Sequence, residues 1–270
     1  MLAVDEPAAA AIVSRGGTSP FLLIGDHGGN RVPQALTDLG LPAAELARHI
    51  GWDIGVTALG TALAARLDAV FVHQRYSRLV IDCNRSPDAA DAIPAVSDGT
   101  VVPGNAAIMA TARAARVAAI HAPYHAAIAA ELVRRTASGQ PTALIALHSF
   151  TPVMRDTVRP WHCGVLHNGA NDALSRTMLA ALQAEDDLIV GDNEPYAMAG
   201  TDFTVPHHAF PASVPYLEIE VRQDLLADAA GVAAWAARLA RLLPAVLARS
   251  SSNSPLLEAP LLDSAAPAPT

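Results

Sequence analysis

The sequence contains no lysine, only two cysteines and a small share of charged residues. All 18 basic residues among its 270 are arginines, the charged fraction is 16%, and the formal net charge is −8. It therefore lacks the clustered positive charge of a nucleic-acid-binding surface. The two cysteines, Cys83 and Cys163, have no spacing typical of metal ligands, and two cysteines do not make a disulfide framework. A nucleic-acid-binding protein and a disulfide-stabilised protein are both disfavoured.

Signals for export and for membrane insertion are not found either. The first ten residues carry acidic residues where a signal peptide has its basic region. No apolar run is expected to reach the length that spans a bilayer. With 51% hydrophobic residues, the chain can build a large core. We therefore expect a soluble, cytoplasmic protein without nucleic-acid or membrane partners, and the sequence leaves its oligomeric state open.

Short apolar runs, polar loops and helical stretches follow one another along the chain. Strands are predicted over residues 21–24, 69–73, 78–82, 142–147, 161–166, 188–190 and 216–221, and helices over 43–49, 54–66, 106–138 with a break near Pro123, 172–185 and 228–249. Residues 86–105 and 197–213 are predicted loops, the first long enough to cover a substrate. The pattern predicts an α/β fold with a mixed, mostly parallel sheet and helices on both faces. We expect one domain over residues 19–249, after a loose lead-in over 1–18 and before a disordered Ser/Pro/Ala tail over 250–270.

Histidines follow two predicted strands, at the sheet edge where ligands of open α/β folds bind. His27 lies in a glycine-rich loop, and His148 follows the run 142–147, the strongest buried strand of the sequence. Imidazole is the commonest side-chain ligand of zinc, and an adjacent carboxylate can orient it. His27 could equally belong to a tight turn with no ligand. Asp53, just before the helix predicted over 54–66, is either its N-cap or a further ligand.

Charged side chains near other strand ends could complete an active site. The strand over 216–221 alternates, so that Glu218, Glu220 and Arg222 share its polar face. Buried glutamates are costly unless they are paired, which favours a functional carboxylate there. Asn84 and Arg85 follow the run 78–82, where an arginine could hold a substrate carboxylate or pair with a neighbouring aspartate.

These residue types suit metal-dependent hydrolysis. Two histidines and a carboxylate bind zinc and leave a fourth position for water. Zinc lowers the pKa of that water to about 7 and polarises a carbonyl. A nearby glutamate would accept the water's proton and pass it to the leaving nitrogen, while arginines hold a carboxylate of the substrate.

Seven motifs occur between about residues 20 and 226, each weak by itself. They are His27-Gly28-Gly29 with Pro33, Gly51-Trp52-Asp53-Ile54-Gly55, the segment 77–85, Pro123-Tyr124-His125, His148-Ser149-Phe150, Asn193-Glu194-Pro195-Tyr196 and the segment 220–225. Together, and in this order, they resemble the N-formylglutamate amidohydrolase family. The resemblance implies an enzyme that hydrolyses the amide bond of an N-formyl or N-acyl amino acid, with N-formyl-L-glutamate as the family's named substrate.

The family is in turn similar to zinc carboxypeptidases and aspartoacylase, whose motifs match His27, Asn84-Arg85, His148-Ser149 and Glu220. The resemblance therefore implies a zinc-carboxypeptidase-like fold and zinc, or another divalent metal, as cofactor. The implied metal ligands are His27, Asp53 and His148, and the implied catalytic residues are Glu220 and Arg85. The residues implied in substrate binding are Arg78, Asn84, Arg85, Arg222, Asn193, His125 and His208.

The chain departs from these relatives at two places. Zinc carboxypeptidases have a glutamate three residues after the first histidine, where this sequence has Asn30. Asparagine is a poor zinc ligand in comparison with a carboxylate. We therefore favour Asp53 as third ligand over Asp26 and Asn30. Asp26 and Gly28 flank His27 where many relatives have Pro and Ser, which leaves the acyl group and the amino acid of the substrate open.

Two other functions remain as alternatives. A metal-free hydrolase could use Ser149 or Cys83 as nucleophile with a histidine base. Ser149 directly follows His148 in a strand, so their side chains would point to opposite faces, and no Gly-x-Ser-x-Gly motif occurs. A non-catalytic protein that binds a small molecule through its arginines is the second alternative.

Overall fold

One seven-stranded sheet runs through the protein in a computed structural model that describes residues 1–169, 171–198, 200 and 202–252. Its strands are β1 (Ala10–Val13), β2 (Phe21–Gly25), β3 (Val70–Gln74), β6 (Ala143–Phe150), β9 (Cys163–Leu166), β10 (Val190–Asp192) and β11 (Tyr216–Arg222). The strand order is β1-β3-β2-β6-β11-β9-β10. β1 is antiparallel to β3 and β9 is antiparallel to β11, while the other neighbours are parallel. The predicted mixed, mostly parallel sheet is confirmed.

Helices cover both faces of this sheet, as predicted. They are α1 (Ala43–Leu46), α2 (Val56–Leu67), α3 (Ala110–Arg116), α4 (Ala122–Ala137), α5 (Ala173–Gln183), α6 (Thr204–Ala209) and α7 (Ala229–Ser252). Alternate residues of β2 enter separate cores. Phe21 and Leu23 pack with α2, α5 and α7 on one face, whereas Leu22 and Ile24 pack with α4 and α6 on the other.

Two small hairpins and several short helical turns lie outside the sheet. The hairpins pair β4 (Val96–Ser97) with β5 (Thr100–Val101), and β7 (Val153–Met154) with β8 (Thr157–Val158). A π-helical turn, Val117–His121, joins α3 to α4, and Pro123 occupies the first turn of α4. Proline is tolerated there because the first helical amides have no intrahelical partner. The predicted break near Pro123 is therefore a change of helix type.

The parallel strands β2, β6 and β11 end at the same edge of the sheet. β6 is buried along its whole length and extends through Phe150, so that His148 lies within the strand and not after it. Glu220 of β11 is the register partner of His148. The loop after β2 carries His27 to the same edge. The topology thus gathers the polar strand ends that the sequence separates by almost 200 residues.

The prediction of a strand over residues 78–82 is wrong. These residues form a buried turn, in which Ser77 Oγ accepts a hydrogen bond from the Leu79 amide. The carbonyl of Leu79 accepts from Asn105 Nδ2 at 2.8 Å, and that of Val80 from Arg116 at 2.9 Å. Side chains thus satisfy the buried backbone that a neighbouring strand would otherwise pair.

Four smaller expectations also need correction. The lead-in over 1–18 contains β1, residues 86–105 contain the β4–β5 hairpin, and residues 197–213 contain α6. Asp53 does not cap α2, because the N-cap is Gly55 and no side chain bonds to the first turn. Of the tail predicted to be disordered over 250–270, residues 250–252 belong to α7, and the rest lies outside the described residues.

Helix α7 extends three residues beyond the helix predicted over 228–249, and it is apolar enough to contradict the expectation that no run reaches the length of a bilayer. By length and composition, Ala229–Ser250 could cross a membrane. Its apolar face instead packs in the core with α2 and α5, where Leu239 and Leu243 are fully buried. On its polar face, Arg241 pairs with Glu185 at 2.8 Å. These contacts identify α7 as a core helix.

Arg135 of α4 generates a prediction about stability, because its side chain is fully buried against the start of β2. Its guanidinium bonds to Glu131 at 2.8 Å and to the carbonyls of Ser19 and Phe21 at 3.0 and 3.1 Å. Arg135→Ala removes three charged hydrogen bonds from a fully buried site, although Glu131 keeps Arg134 and the Ser19 carbonyl keeps Gln140. We expect a loss of about 3 kcal/mol in the free energy of unfolding. Urea unfolding followed by circular dichroism measures this loss.

Arg134→Ala is the matched control, since Arg134 pairs with the same Glu131 but is 43% exposed. Solvent screens such a pair, so that its removal should change stability little. Equal losses in the two variants would contradict the structural role given to Arg135.

Candidate active site

A cavity of about 390 Å³ opens at the sheet edge where β2, β6 and β11 end. His27, Asp53 and His148 line it together with Glu218 and Glu220. Further lining residues come from loops: Arg78, Asp82, Asn84, Arg85, Asp91, Asp98, Tyr196 and Asp202. Most residues predicted to form the site therefore share one cavity.

His27, Asp53 and His148 form a compact buried trio. Their potential ligand atoms all lie within 4.8 Å of one another. Nδ1 of His27 is 3.3 Å from Asp53 Oδ2, and Nδ1 of His148 is 2.9 Å from the same oxygen. Two imidazole nitrogens and one carboxylate oxygen thus converge on one point, which is a donor set typical of zinc. Neither Asp26 nor Asn30, the alternative third ligands, belongs to this trio.

The second nitrogen of each imidazole faces another carboxylate. His27 Nε2 is 2.7 Å from Asp82 Oδ1, and His148 Nε2 is 3.3 Å from Asp26 Oδ2. Metal-binding histidines commonly have such a partner, because it fixes the ring orientation and tautomer. Asp26 is in turn held by the hydroxyl of Thr204 at 2.8 Å. This role of Asp82 was not predicted from the sequence.

The backbone around the trio explains its local sequence. The Asp53 amide donates to the His27 carbonyl at 2.9 Å, which ties the loop after β2 to the segment before α2. Gly29 lies against the backbone of Arg75, where a Cβ would overlap the carbonyl group. The glycines beside His27 therefore permit close packing of two chain segments.

Arg78 lies between the carboxylates of this site. Its guanidinium is 2.6 Å from Asp82 Oδ2 and 3.4 Å from Asp53 Oδ1. Burial by itself would raise the pKa of Asp53, but His27 and His148 outweigh it, and the pKa lies below its ordinary value. Burial also opposes ionisation of Asp82, whose pKa is nevertheless held low by Arg78. Both carboxylates are therefore kept ionised.

The two glutamates of β11 enter the same cavity in a different environment. Glu218 and Glu220 are 2% and 6% exposed, and Oε2 of each has no hydrogen-bond partner within the described residues. Burial raises the pKa of Glu220 to about 7, with the negative charge of Asp53 adding to it and the nearby His148 opposing it. Burial and the charge of Asp202 raise the pKa of Glu218 well above its usual value. Glu218 Oε1 is 3.9 Å from His148 Nε2.

Asn84 and Arg85 line the cavity on its loop side. The Asn84 side-chain oxygen accepts from the amides of Phe203 and Thr204 at 3.0 and 2.9 Å. Arg85 bonds to Asp91 at 3.1 Å and approaches Asp202 at 3.5 Å. Asn84 thus anchors the start of α6, while Arg85 extends along the cavity wall.

Four other residues predicted to bind substrate are not among those that line the cavity. The Arg222 guanidinium pairs with Asp224 at 2.8 Å, and Asn193 accepts from the His167 amide at 2.9 Å. His125 and His208 are buried, with Nδ1 of the first 3.0 Å from Nε2 of the second. The shared polar face of β11 does hold, but Arg222 lies beyond the end of the cavity.

His125 and His208 belong to a group of imidazoles beneath the Asn84-Arg85 loop. His125 Nε2 bonds to the Cys83 carbonyl at 2.9 Å, and His121 Nε2 to the Arg85 carbonyl at 3.0 Å. Burial lowers the pKa of His125 to about 3 and that of His208 to about 4. These rings are therefore neutral supports of the loop, and the π-helical turn places His121 among them.

The residues of the metal-free alternative are poorly suited to nucleophilic attack. Ser149 donates its hydroxyl to the Ile54 carbonyl at 2.8 Å. Cys83 accepts from Gln74, and burial raises the pKa of its thiol well above the ordinary value. A buried thiol of high pKa is inert at neutral pH.

Asp202 is a further cavity residue that was not predicted from the sequence. It lies in the segment predicted as loop, with no motif around it. Its Oδ1 accepts from Asn84 Nδ2 at 3.3 Å, and its Oδ2 has no partner in the described part of the chain. Asp82 could have been found, because it precedes Asn84-Arg85 within a motif, whereas no pattern singles out Asp202.

Comparison with known proteins identifies the family of the chain. The sequence profile of the N-formylglutamate amidohydrolase family matches residues 19–227. The crystal structure of a gene product from Agrobacterium tumefaciens is 33% identical, with a TM-score of 0.89 over 93% of this chain and 99% of that one. N-formylglutamate amidohydrolase from Ralstonia eutropha shares the fold, with 20% identity and a TM-score of 0.62 over 91% of this chain and 100% of that one. No curated protein sequence matches the chain significantly.

The similarity to aspartoacylase stays a prediction. An aspartoacylase family protein from Mesorhizobium loti is 15% identical and has a TM-score of 0.29, over 88% of this chain and 68% of that one. That score is too low to carry an argument. The profile match, by contrast, covers most of the sequence and includes every residue of the buried trio. The protein is therefore an amidohydrolase that belongs to the N-formylglutamate amidohydrolase family.

Proposed function

We propose that the protein is a metal-dependent enzyme that hydrolyses the amide bond of a small N-formyl or N-acyl amino acid. The observation that carries this proposal is the convergence of two imidazole nitrogens on one oxygen of Asp53, inside a cavity that also holds Glu220 and Arg85. Arg78 and Asn84, which were also predicted from the sequence, line the same cavity. N-formyl-L-glutamate is the named substrate of the family and the first compound to assay.

The donor atoms fit a divalent metal of the size of zinc. Bonds of about 2.0–2.1 Å in a tetrahedral arrangement separate neighbouring ligand atoms by roughly 3.3 Å. The nitrogen–oxygen distances of 3.3 and 2.9 Å agree with this requirement. His27, Asp53 and His148 would hold the metal, and Asp82 and Asp26 would orient the two imidazoles. A bound zinc would act as a Lewis acid on the scissile carbonyl and lower the pKa of water.

Glu220 is the residue proposed to move the proton. Its carboxyl is buried in the cavity, has an oxygen with no hydrogen-bond partner in the described chain, and is the register partner of His148. It would accept a proton from the attacking water and deliver it to the leaving nitrogen. Ser149, the alternative nucleophile, already donates its hydroxyl to a backbone carbonyl, which disfavours the metal-free route.

Arg85 is the residue proposed to hold the carboxylate of the substrate. It lines the cavity and is 22% exposed, so that a ligand can reach its guanidinium. Arg78 is engaged with Asp82 and Asp53, and supports the metal site by keeping these carboxylates charged. The two arginines would therefore differ in role, although both were predicted to bind substrate.

The metal site generates the first prediction here. Asp53→Asn keeps the shape of the side chain but removes the charge, and we expect it to lose most bound zinc. Asn30→Ala is the control, because Asn30 lies outside the trio. Zinc content after dialysis, measured by mass spectrometry, should approach one per chain in the wild type and in Asn30→Ala. Equal zinc content in all three proteins would reject Asp53 as a ligand.

The second concerns proton transfer by Glu220. Glu220→Gln cannot accept a proton, and a general base contributes about 10²–10⁴ in rate. We therefore expect kcat to fall by about 10² or more, with zinc content unchanged. Glu218→Gln, on the same strand, should cause a smaller loss of kcat. The role of base would have to be abandoned if Glu220→Gln kept near-normal turnover or lost its zinc.

The third concerns Arg85 and the substrate carboxylate. A charged hydrogen bond of this kind contributes about 1.5–3 kcal/mol. Arg85→Ala should therefore raise KM by about ten- to a hundredfold for an N-formyl amino acid. For the wild type, KM should be higher by the same factor for the corresponding amide, which lacks the carboxylate, than for the N-formyl amino acid.

Arg222→Ala is the comparison variant, because Arg222 was also predicted to bind substrate. Its guanidinium is bound to Asp224 away from the cavity lining, so we expect the smaller effect on KM. A larger effect for Arg222→Ala than for Arg85→Ala would return the substrate-binding role to Arg222.

A further inference from the structure

Arg159 is a buried arginine that forms no ion pair with a carboxylate of the described residues. It directly follows the β7–β8 hairpin, and its amide closes the base of this hairpin by donating to the Pro152 carbonyl at 2.8 Å. The residue is 9% exposed, and its guanidinium donates to the Thr151 carbonyl at 3.5 Å and to Met154 Sδ at 2.9 Å. Neither of these acceptors carries a charge. A buried cation is costly unless an anion pairs with it.

The shortest side-chain contact of Arg159 with an oxygen is made to Tyr196, which lines the cavity and is 39% exposed. Nη1 of Arg159 donates to the Tyr196 hydroxyl oxygen at 3.0 Å, and the guanidinium lies 4.9 Å from the centre of the same ring. A guanidinium can only donate, so that the hydroxyl oxygen is the acceptor. The hydroxyl hydrogen has no acceptor within the described part of the chain. It is therefore available to a ligand in the cavity.

The side-chain contacts of Arg159 place its charge directly behind the cavity wall. Tyr196, Thr151 and Met154 all line the cavity, and so does Phe150, whose ring centre is 5.9 Å from the guanidinium. One layer of residues thus separates the guanidinium from the cavity. Protein screens a charge less than water does, and the guanidinium therefore attracts an anion on the other side of this layer.

The two arginines of the cavity lining already have assigned partners. Arg78 is 2.6 Å from Asp82 and 3.4 Å from Asp53, so that its charge is shared between two carboxylates. Arg85 is proposed above to hold one carboxylate of the substrate. A second carboxylate on the same substrate needs another donor with positive charge behind it, which the contact of Arg159 with the cavity wall provides.

We infer that Tyr196 and Arg159 determine the specificity of the site by binding the side-chain carboxylate of an acidic N-acyl amino acid. The Tyr196 hydroxyl donates to this carboxylate, while the α-carboxylate is left to Arg85. Arg159 is a positioning residue, since it acts through Tyr196 by orienting the hydroxyl. It also strengthens the hydroxyl as a donor, because hydrogen bonds in a chain polarise one another. This inference rests on the proposed function and assigns the residues that select its substrate.

The experiment compares two substrates of the same shape at constant ionic strength. N-formyl-L-glutamate has an anionic side chain, and N-formyl-L-glutamine replaces its side-chain carboxylate with an uncharged amide. The measured quantity is the ratio of kcat/KM for the glutamate compound over the glutamine compound. We expect this ratio to be about ten or more in the wild type, because a charged hydrogen bond is stronger than a neutral one.

Tyr196→Phe tests the donor, since it keeps the ring against Arg159 and removes the hydroxyl. The ratio should fall toward one in this variant, through a higher KM for the glutamate compound. Tyr76→Phe is the matched control, because the Tyr76 hydroxyl donates to the Pro7 carbonyl at 2.8 Å and Tyr76 is not among the residues that line the cavity. This variant should keep the wild-type ratio.

Two substitutions of Arg159 test the charge behind the hydroxyl. Arg159→Met removes the charge and should lower the ratio about as far as Tyr196→Phe does. Arg159→Lys keeps the charge and should retain more of the wild-type ratio than Arg159→Met. A merely structural role of Arg159 would lower the activity toward both substrates alike and leave the ratio unchanged. Tyr196→Phe decides the inference by itself if the arginine variants fail to fold.

The outcomes separate this inference from the proposed function. A wild-type ratio near one, or a wild-type ratio in Tyr196→Phe, would overturn the inference and leave the amidohydrolase proposal intact. A fall of kcat in Tyr196→Phe by the same factor for both substrates would also overturn it, because the hydroxyl would then act on the reacting carbonyl. Absence of turnover with both compounds would reject the proposed function. Calorimetry would still decide the inference, since the wild type should bind the glutamate compound about tenfold more tightly than the glutamine compound, and Tyr196→Phe should not.

Discussion

The carboxylate of Asp53 is the group on which the organisation of the site depends. One of its oxygens lies within 3.3 Å of two imidazole nitrogens, of which one comes from the loop after β2 and the other from β6, and the other oxygen faces Arg78. The Asp53 amide also holds the loop that carries His27. The residue therefore joins β2, β6 and the start of α2 at the sheet edge.

The proposed metal ligands and the proposed substrate-binding residues lie on different kinds of structure. His148 and Glu220 belong to central strands that are buried on both faces, which gives precise and rigid placement. Arg85 and Tyr196 lie on loops. Asp98 lies at the tip of the β4–β5 hairpin, where it bonds to Arg48 at 2.9 Å. Loops vary more readily than strands while the scaffold is kept.

The sequence was informative where chemistry coincides with a strand. His148 and Glu220 follow or interrupt strong apolar runs, and the parallel sheet brings such ends together. The run 78–82 led to a wrong prediction of a strand, because its apolar residues are buried in a turn. The carbonyls of this turn accept hydrogen bonds from distant side chains. The apolar composition of a segment predicts that it is buried, but it does not predict the hydrogen-bond partner of each backbone group. Arg222 was misplaced because alternation along a strand gives the face of a side chain and not the extent of a cavity.

The imidazoles beneath the Asn84-Arg85 loop fix one another's protons. A carbonyl only accepts, so that His125 must carry its hydrogen on Nε2 to bond with the Cys83 carbonyl. Its Nδ1 is then an acceptor, which requires His208 to carry a hydrogen on Nε2. A second proton on His125 would set two N–H groups against each other across 3.0 Å. One backbone carbonyl thus determines the tautomer of two rings and gives this hydrogen-bonded chain a direction, from α6 toward the loop that carries Arg85.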